Sequence, residues 1–115
     1  RYDDAFKNLK YINPIHESLR QFSSHHLYVL KINFSKLGTT RADFVNHLNQ
    51  NNIYPQVHYI PVTSHPFYEE MGFKTSNYDY TKNYYDQAIS IPLYFGLSFS
   101  DQDKVINIIK SFFKD

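Results

Sequence analysis

The chain has 115 residues, a formal net charge of +1 and no cysteine. This length predicts one domain, and the missing cysteines exclude a disulfide framework, a thiol nucleophile and a thiolate metal site. The near-neutral charge gives no electrostatic case for a nucleic-acid partner, and the lack of a long apolar run or signal-peptide pattern predicts a cytoplasmic chain with no membrane partner.

The first residues have the apolar spacing of a helix, with Tyr2, Phe6 and Leu9 on one face. No capping residue precedes Tyr2, and a domain rarely begins with an uncapped helix. We therefore expect residues 1–115 to be a fragment of a protein that has a further segment upstream.

Two strands are predicted in the next part of the chain. A short one runs from Tyr11 to Ile15, and a polar connector follows from Glu17 to Ser24. The clearest strand of the sequence runs from His26 to Phe34, because its alternate residues form one strongly apolar face and one mixed face. This asymmetry is typical of a sheet that carries helices on one side.

A helix and a central strand are predicted after this. Thr40 and Asp43 have the spacing of a capping box, which predicts a helix from Arg41 to Asn51. The stretch from Ile53 to Tyr59 is predicted as an extended strand that ends at the turn before Pro61. A helix-containing connection of roughly twenty residues favours a parallel crossover between this strand and the preceding one.

A loop from Gly72 to Asp79 and two further helices are predicted in the rest of the chain. A helix is expected from Tyr80 to Ile89, although Ser90 to Leu93 can also pair with the sheet. Ser100 and Asp103 predict the cap of a last helix. Its buried stripe comprises Val105, Ile108, Ile109, Phe112 and Phe113. These elements predict an α+β fold, a two-layer sandwich of a small sheet with helices on one face.

The sequence contains no complete catalytic motif. Its histidines lack the i, i+4 spacing of a shared metal site, so no metal ligand is predicted. Glycine-rich phosphate loops and the Gly-x-Ser-x-Gly nucleophile motif are absent. Lys31 is the one lysine in a semi-buried setting, and no pocket or cationic neighbour is indicated around it. The histidines are His16, His25, His26, His47, His58 and His65.

Four motifs in register carry a resemblance to a known family. They are His26 to Val29, Gln56 to Pro61, Ala88 to Leu93, and Leu97-Ser98 with Asp103 to Val105. In this order and spacing the chain resembles the carboxy-terminal part of the DegT/DnrJ/EryC1/StrS family, the nucleotide-sugar aminotransferases that use pyridoxal phosphate. The resemblance covers nearly the whole chain.

The resemblance implies the small domain of a fold-type-I aminotransferase, with a mainly antiparallel sheet. In that sheet the strands Leu27 to Phe34 and Ile53 to Tyr59 would be adjacent and antiparallel. The full-length enzyme would be a homodimer that transfers nitrogen from an amino donor such as glutamate to a keto nucleotide-sugar. Its products would supply surface polysaccharide or other glycans, and a pseudaminic-acid-type enzyme is one subclass that fits. Pyridoxal phosphate would be bound by a large domain that this chain lacks, so no catalytic or cofactor-binding residue is expected here.

The resemblance also implies a substrate-binding role for three residues. The family's His-Tyr pair falls on His58 and Tyr59, and Phe67 lies in the loop that varies with the substrate. The competing expectation is that Tyr59 packs in the core while His58 bonds to a loop carbonyl.

Two other classes of function compete with this interpretation. One is a free-standing α+β module that binds a small ligand or protein through the aromatic stretch from Tyr54 to Tyr68. The other is a single-strand RNA module in which tyrosines stack on bases, against which the charge argues. If the chain is a piece of an enzyme, we expect Tyr2, Phe6, Phe67 and Tyr68 to form an exposed apolar face that self-associates.

Overall fold

The computed structural model describes residues 1–15 and 22–113. It contains three strands, β1 (Ile12–Pro14), β2 (Tyr28–Ile32) and β3 (Ala88–Ile91), within these ranges. The helices are α1 (Tyr2–Phe6), α2 (Phe34–Leu37), α3 (Arg41–Gln50), α4 (Pro66–Glu70), α5 (Asp79–Gln87) and α6 (Phe99–Phe112), with 3₁₀ turns at Val62–Ser64 and Thr75–Asn77. His16 and most of the predicted connector from Glu17 to Ser24 lie outside the described residues. None of the helices described is both long and apolar enough to cross a membrane.

The sheet is antiparallel, with β2 between β1 and β3. On its core face Leu30 pairs with Ile89, and Tyr28 pairs with Ile91. Every second residue of β2 is buried, as its predicted alternation requires. The α+β fold with a small antiparallel sheet is therefore confirmed. Ser90 and Ile91 pair with the sheet, as the strand alternative required, but β3 also includes Ala88 and Ile89, which were predicted as the end of a helix.

One hydrophobic cluster joins α1, the core face of the sheet, α3 and α6. Phe44 of α3 is fully buried in it, and its ring centroid lies 5.0 Å from that of Phe112 and 6.0 Å from those of Phe34 and Phe113. These aromatic contacts connect α3 to α2 and to the end of α6, so the helices stabilise one another.

The predicted strand from Ile53 to Tyr59 is not a strand, and its predicted pairing beside β2 is wrong. The neighbours of β2 are β1 and β3. The segment instead lies beside β3, where it forms a single antiparallel bridge between Gln56 and Ser90. The antiparallel direction implied by the resemblance is present, but the contact is one residue long.

Backbone groups at both ends of β3 prevent this bridge from growing into a ladder. In the same register Tyr54 would next pair with Pro92, and His58 with Ala88. Pro92 has no N–H to donate, and its carbonyl already accepts a hydroxyl from α1 at 2.9 Å. The Ala88 N–H already donates to a carbonyl in the last turn of α5. The segment therefore leaves the sheet on either side of Gln56.

Tyr2 and Phe6 are buried, so the prediction that they form an exposed apolar face is wrong. The Tyr2 ring lies 5.8 Å from Phe6 and 4.9 Å from Tyr28, measured between centroids. Burial raises the pKa of the Tyr2 hydroxyl, and the nearby Tyr94 adds to this effect. The first helix is thus part of the domain's own core. Phe67 and Tyr68, the other two residues of that prediction, are exposed.

The capping box of α3 is confirmed. The Thr40 hydroxyl accepts a hydrogen bond from the Asp43 N–H at 3.1 Å, and the Asp43 carboxylate accepts one from the Thr40 N–H at 3.0 Å. Hydrogen bonds from the Thr40 side chain and backbone lower the pKa of Asp43. The stabilisation that depends on this carboxylate is therefore lost as the pH falls through the lowered pKa.

The cap of α6 is Ser98, and the prediction of Ser100 with Asp103 is wrong. The Ser98 hydroxyl accepts a hydrogen bond from the Asp101 N–H at 3.0 Å and donates to the Asp101 carboxylate at 2.6 Å. Asp103 instead forms an ion pair with Arg1. Both serines have an aspartate three residues later, so the spacing alone could not distinguish them.

Replacing Ser98 with alanine is expected to lower the free energy of unfolding by about 1 kcal/mol, the usual effect of removing an N-cap. Ser100→Ala is the matched control and should change it by less than about 0.5 kcal/mol, because Ser100 is an exposed helix residue. Urea unfolding of the two variants measures both values. A larger loss for Ser100→Ala than for Ser98→Ala would contradict this assignment of the cap.

Candidate functional site

The segment that carries His58 and Tyr59 is anchored to the edge of the sheet. Its anchor is a pair of backbone hydrogen bonds, from the Gln56 N–H to the Ser90 carbonyl at 3.0 Å and from the Ser90 N–H to the Gln56 carbonyl at 2.7 Å. Pro55 and Pro61 are buried on either side of the segment. Because proline restricts the backbone, these two residues limit the directions in which the intervening side chains can point.

His58 is half-buried and forms a hydrogen bond to the sheet. Its Nδ1 lies 2.8 Å from the Oγ of Ser90 on β3. The His58 and Tyr59 rings meet edge to face with their centroids 4.6 Å apart, and the peptide bond between the two residues is cis. The Nε2 atom of His58 has no hydrogen-bond partner among the described residues. The imidazole thus has one fixed nitrogen and one that can bind a ligand.

Tyr59 does not pack in the core, because 74% of it is exposed. The competing expectation for this pair is therefore wrong in both parts, since His58 bonds to a side-chain hydroxyl and not to a loop carbonyl. An exposed tyrosine ring beside a half-buried histidine provides a flat apolar surface next to a hydrogen-bonding nitrogen. Such a pair suits a ligand that has both a ring and polar oxygens.

Phe67 lies on α4 and is 67% exposed. The ring contacts that the structure describes connect Phe67 to Tyr68 at 5.3 Å, and Tyr68 to Phe73 at 6.1 Å, but not Phe67 to His58 or Tyr59. The structure thus brings two of the three predicted site residues together. We call the exposed apolar residues of this region the aromatic loop surface; they are Tyr59, Ile60, Val62, Phe67, Tyr68, Met71 and Phe73.

Three hydroxyl groups hold the loop that carries α4. The Thr75 hydroxyl lies 2.6 Å from that of Thr63 and 2.5 Å from that of Ser64. These contacts connect the two 3₁₀ turns that precede and follow α4. The aromatic loop surface is therefore presented on a loop with fixed ends, although α4 contributes no residue to the core.

The described residues do not form a site for a cofactor imine. Lys31 is half-buried on the face of the sheet opposite the core, where it pairs in register with Asn13 and Ala88. No lysine in residues 1–15 or 22–113 is buried, and burial or a cationic neighbour is what activates a lysine amine. The side chains present therefore do not fit covalent attachment of pyridoxal phosphate.

Other features of the described chain do not add to this site. No group of three or more His, Asp or Glu residues that could hold a metal ion occurs in the ranges described. Surface grooves of about 670 and 460 Å³ are present, but neither is lined by His58, Tyr59, Phe67 or Ser90. The candidate site lies at the sheet edge, beside the bridge between Gln56 and Ser90, and its Tyr59 ring is exposed.

Ser90 is the residue of this site that was not predicted from the sequence. The sequence predicted Ser90 only as the start of a segment that can pair with the sheet, and it lacks the neighbouring glycines of a nucleophile motif. The sequence feature that could have indicated Ser90 is its position between the apolar residues Ile89 and Ile91. In the structure all residues of this strand are buried. A buried hydroxyl in an apolar strand needs a hydrogen-bond partner, and His58 is that partner.

Solved structures resemble this chain over almost its whole length. One is Helicobacter pylori PseC, described as an aminotransferase involved in the biosynthesis of pseudoaminic acid, with a TM-score of 0.85 and 28% identity. The match covers 97% of this chain and 30% of PseC. The PLP-form of the putative sugar aminotransferase Spr1654 from Streptococcus pneumoniae matches with a TM-score of 0.80 and 25% identity, over 96% of this chain and 28% of that one.

Curated relatives show the same pattern. The spore coat polysaccharide biosynthesis protein SpsC of Bacillus subtilis is 36% identical over 118 residues, covering 99% of this chain and 30% of SpsC. The UDP-4-amino-4,6-dideoxy-N-acetyl-beta-L-altrosamine transaminase of Helicobacter pylori is 30% identical, over 96% of this chain and 29% of that enzyme. The chain therefore spans less than a third of the length of these relatives.

The sequence profile of one family matches residues 1–110, which is nearly the entire chain. This match agrees with the structural similarity to sugar aminotransferases and with the motifs in the sequence. The chain belongs to the DegT/DnrJ/EryC1/StrS aminotransferase family.

Proposed function

We propose that this chain is the small, carboxy-terminal domain of a pyridoxal-phosphate-dependent aminotransferase that converts a keto nucleotide-sugar into an amino sugar. The family match over residues 1–110 supports the activity, and the coverage of less than a third of each relative supports the domain assignment. The relatives include a polysaccharide biosynthesis protein, which favours a role in the synthesis of surface glycans.

The His58–Tyr59 pair is the observation that carries the substrate-binding part of this proposal. The Nε2 atom of His58 has no hydrogen-bond partner in the described part of the chain. The exposed Tyr59 ring lies 4.6 Å from the His58 ring, measured between centroids. A sugar has oxygens that accept or donate hydrogen bonds and C–H faces that pack on aromatic rings. We assign His58 and Tyr59 to substrate binding, with Phe67 as a further contact from the aromatic loop surface.

The cofactor would be held by a part of the protein outside this chain, because the described residues offer no suitable lysine. Pyridoxal phosphate, when bound, supplies the electron sink that amino-group transfer requires. The role of this chain would then be to bind and orient the sugar and to restrict water access at the mouth of the active site.

A UDP-linked sugar with a keto group at carbon 4 is the substrate that the relatives favour. The Helicobacter pylori relative is named for a UDP-linked 4-amino sugar, and transamination places an amino group where a carbonyl stood. We assign glutamate as the amino donor, a homodimer as the assembly, and the cytoplasm as the compartment. No part of this assignment requires nucleic acid or membrane as a partner.

Reduction with borohydride tests whether the lysine that binds the cofactor lies outside this chain. The 115-residue chain, incubated with pyridoxal phosphate and then reduced, should carry no stoichiometric label on a specific lysine, because no described lysine is buried. The complete protein that contains this chain should carry one. Peptide mass spectrometry locates the label, and one specific, fully labelled lysine in the 115-residue chain would contradict the proposal.

A free-standing binding module is the second candidate, and the exposed aromatic loop surface is the observation that favours it. In this case the 115-residue chain alone would bind its ligand. Titration with a UDP-linked sugar distinguishes the two candidates. Tight binding by the isolated chain would favour the module, whereas binding only by the complete protein would favour the enzyme.

A further inference from the structure

Ser90 is a buried polar residue whose backbone N–H and carbonyl are both hydrogen-bonded. It is 4% exposed, and its N–H and carbonyl both pair with Gln56. Its hydroxyl group is the remaining donor, and it needs an acceptor. Among the described residues the partner of this hydroxyl is the Nδ1 atom of His58, at 2.8 Å.

The direction of this hydrogen bond follows from the buried position of the hydroxyl. If Nδ1 carried the proton and donated to Ser90, the serine O–H would be left without an acceptor among the described residues. An unsatisfied buried donor is unfavourable. If Ser90 instead donates to Nδ1, the hydroxyl uses its proton, and the neutral imidazole carries its own proton on Nε2.

We propose that Ser90 is a positioning residue that holds His58 in the Nε2–H tautomer, so that Nε2 is a hydrogen-bond donor directed away from the sheet. An Nε2–H group pairs with an oxygen acceptor, such as a keto or hydroxyl oxygen of a sugar. The identity of this acceptor as part of a nucleotide-sugar rests on the proposed function. The tautomer does not rest on the proposed function, because it depends only on the contact between Ser90 and His58.

The backbone bridge explains why a serine at this point can orient the ring. Gln56 fixes the start of the segment against the same residue, Ser90, that binds the imidazole. His58 is therefore held by β3 at two places, through the main chain and through its own ring. A side chain with both its backbone and its ring restrained loses little freedom when a ligand binds.

Nitrogen NMR of the ¹⁵N-labelled 115-residue chain tests the tautomer, at a pH where the imidazole is neutral. The wild-type spectrum should show His58 protonated on Nε2, and Ser90→Ala should convert it to a mixture of tautomers. Ser90→Thr keeps the hydroxyl and should retain the wild-type pattern. His47, which contacts Ser111 and the Ile108 carbonyl instead, is the internal control and should not change.

The outcomes of this experiment are distinct. Protonation of wild-type His58 on Nδ1 would overturn the proposal without the need for any variant. An Nε2–H pattern that persists unchanged in a folded Ser90→Ala chain would also overturn it, because Ser90 would then not determine the tautomer. Loss of the pattern in Ser90→Ala and its retention in Ser90→Thr would support it.

Kinetics of the complete enzyme test separately whether the Nε2–H group of His58 contacts the sugar substrate. Ser90→Ala should raise KM for the keto nucleotide-sugar about 3- to 10-fold, the effect of weakening one hydrogen bond. KM for the amino donor should stay within about twofold, since a general loss of structure would affect both substrates. Unchanged KM values together with the expected tautomer would overturn the contact between His58 and the sugar. A complete protein without transaminase activity would instead contradict the proposed function.

Discussion

Replacing Phe44 with alanine is expected to lower the free energy of unfolding by about 3–5 kcal/mol. Phe44 is fully buried, and its ring contacts Phe34, Phe112 and Phe113. The substitution leaves a cavity between α3 and α6 that rigid neighbours cannot fill. Because domains of this size have a total stability of about 5–15 kcal/mol, the variant should unfold at a much lower urea concentration, which circular dichroism measures.

Phe95→Ala provides the matched control. It removes the same ring from a residue that is fully exposed, so it should change the free energy of unfolding by less than about 0.5 kcal/mol. Equal losses in the two variants would show that the packing around Phe44 does not stabilise the fold as described.

Replacing His58 with alanine in the complete enzyme should lower sugar turnover while the bound cofactor and the fold are retained. Loss of one hydrogen bond costs about 0.5–1.5 kcal/mol, or up to about 3 kcal/mol when the partner is charged. These energies correspond to decreases in kcat/KM of roughly 2- to 150-fold. Cofactor absorbance and thermal unfolding measure the two properties that should be retained.

His26→Ala is the control for this second variant, because His26 is an exposed histidine before β2 and outside the candidate site. Its turnover should equal that of the wild type. If His58→Ala instead kept full turnover and lost stability, His58 would have a structural role only.

Features that depend on neighbouring residues could be predicted from the sequence. The alternation in Tyr28–Ile32 reports directly which side chains face the core, so β2 was identified. The capping box at Thr40 and Asp43 is likewise a contact within one turn, so the start of α3 was correct. The antiparallel sheet needed more than local pattern, and it was expected only because of the family resemblance.

Features that depend on distant backbone groups could not be predicted. The segment from Ile53 to Tyr59 has the alternation of a strand, but the groups it would pair with are occupied by contacts from α1 and α5. Tyr2 and Phe6 were expected on an exposed face, because nothing in the sequence shows that the Tyr2 ring packs against both Phe6 and Tyr28. Tertiary contacts decided each of these outcomes.

The candidate site also combines a feature that could be predicted from the sequence with one that depends on distant contacts. The family resemblance pointed to His58, Tyr59 and Phe67, and the structure brings the first two into contact. The contact between His58 and Ser90 joins residues far apart in the sequence, and it arises from the register between Gln56 and β3. No pattern within either segment encodes that register.

An assay of the complete protein that contains this chain tests the central claim most directly. The protein, loaded with pyridoxal phosphate, is incubated with glutamate and a UDP-linked 4-keto sugar, and the products are identified by mass spectrometry. We predict formation of the UDP-linked amino sugar together with 2-oxoglutarate, at a rate reduced by His58→Ala and unchanged by His26→Ala. Complete loading with cofactor but no amino sugar from any keto nucleotide-sugar would contradict the claim.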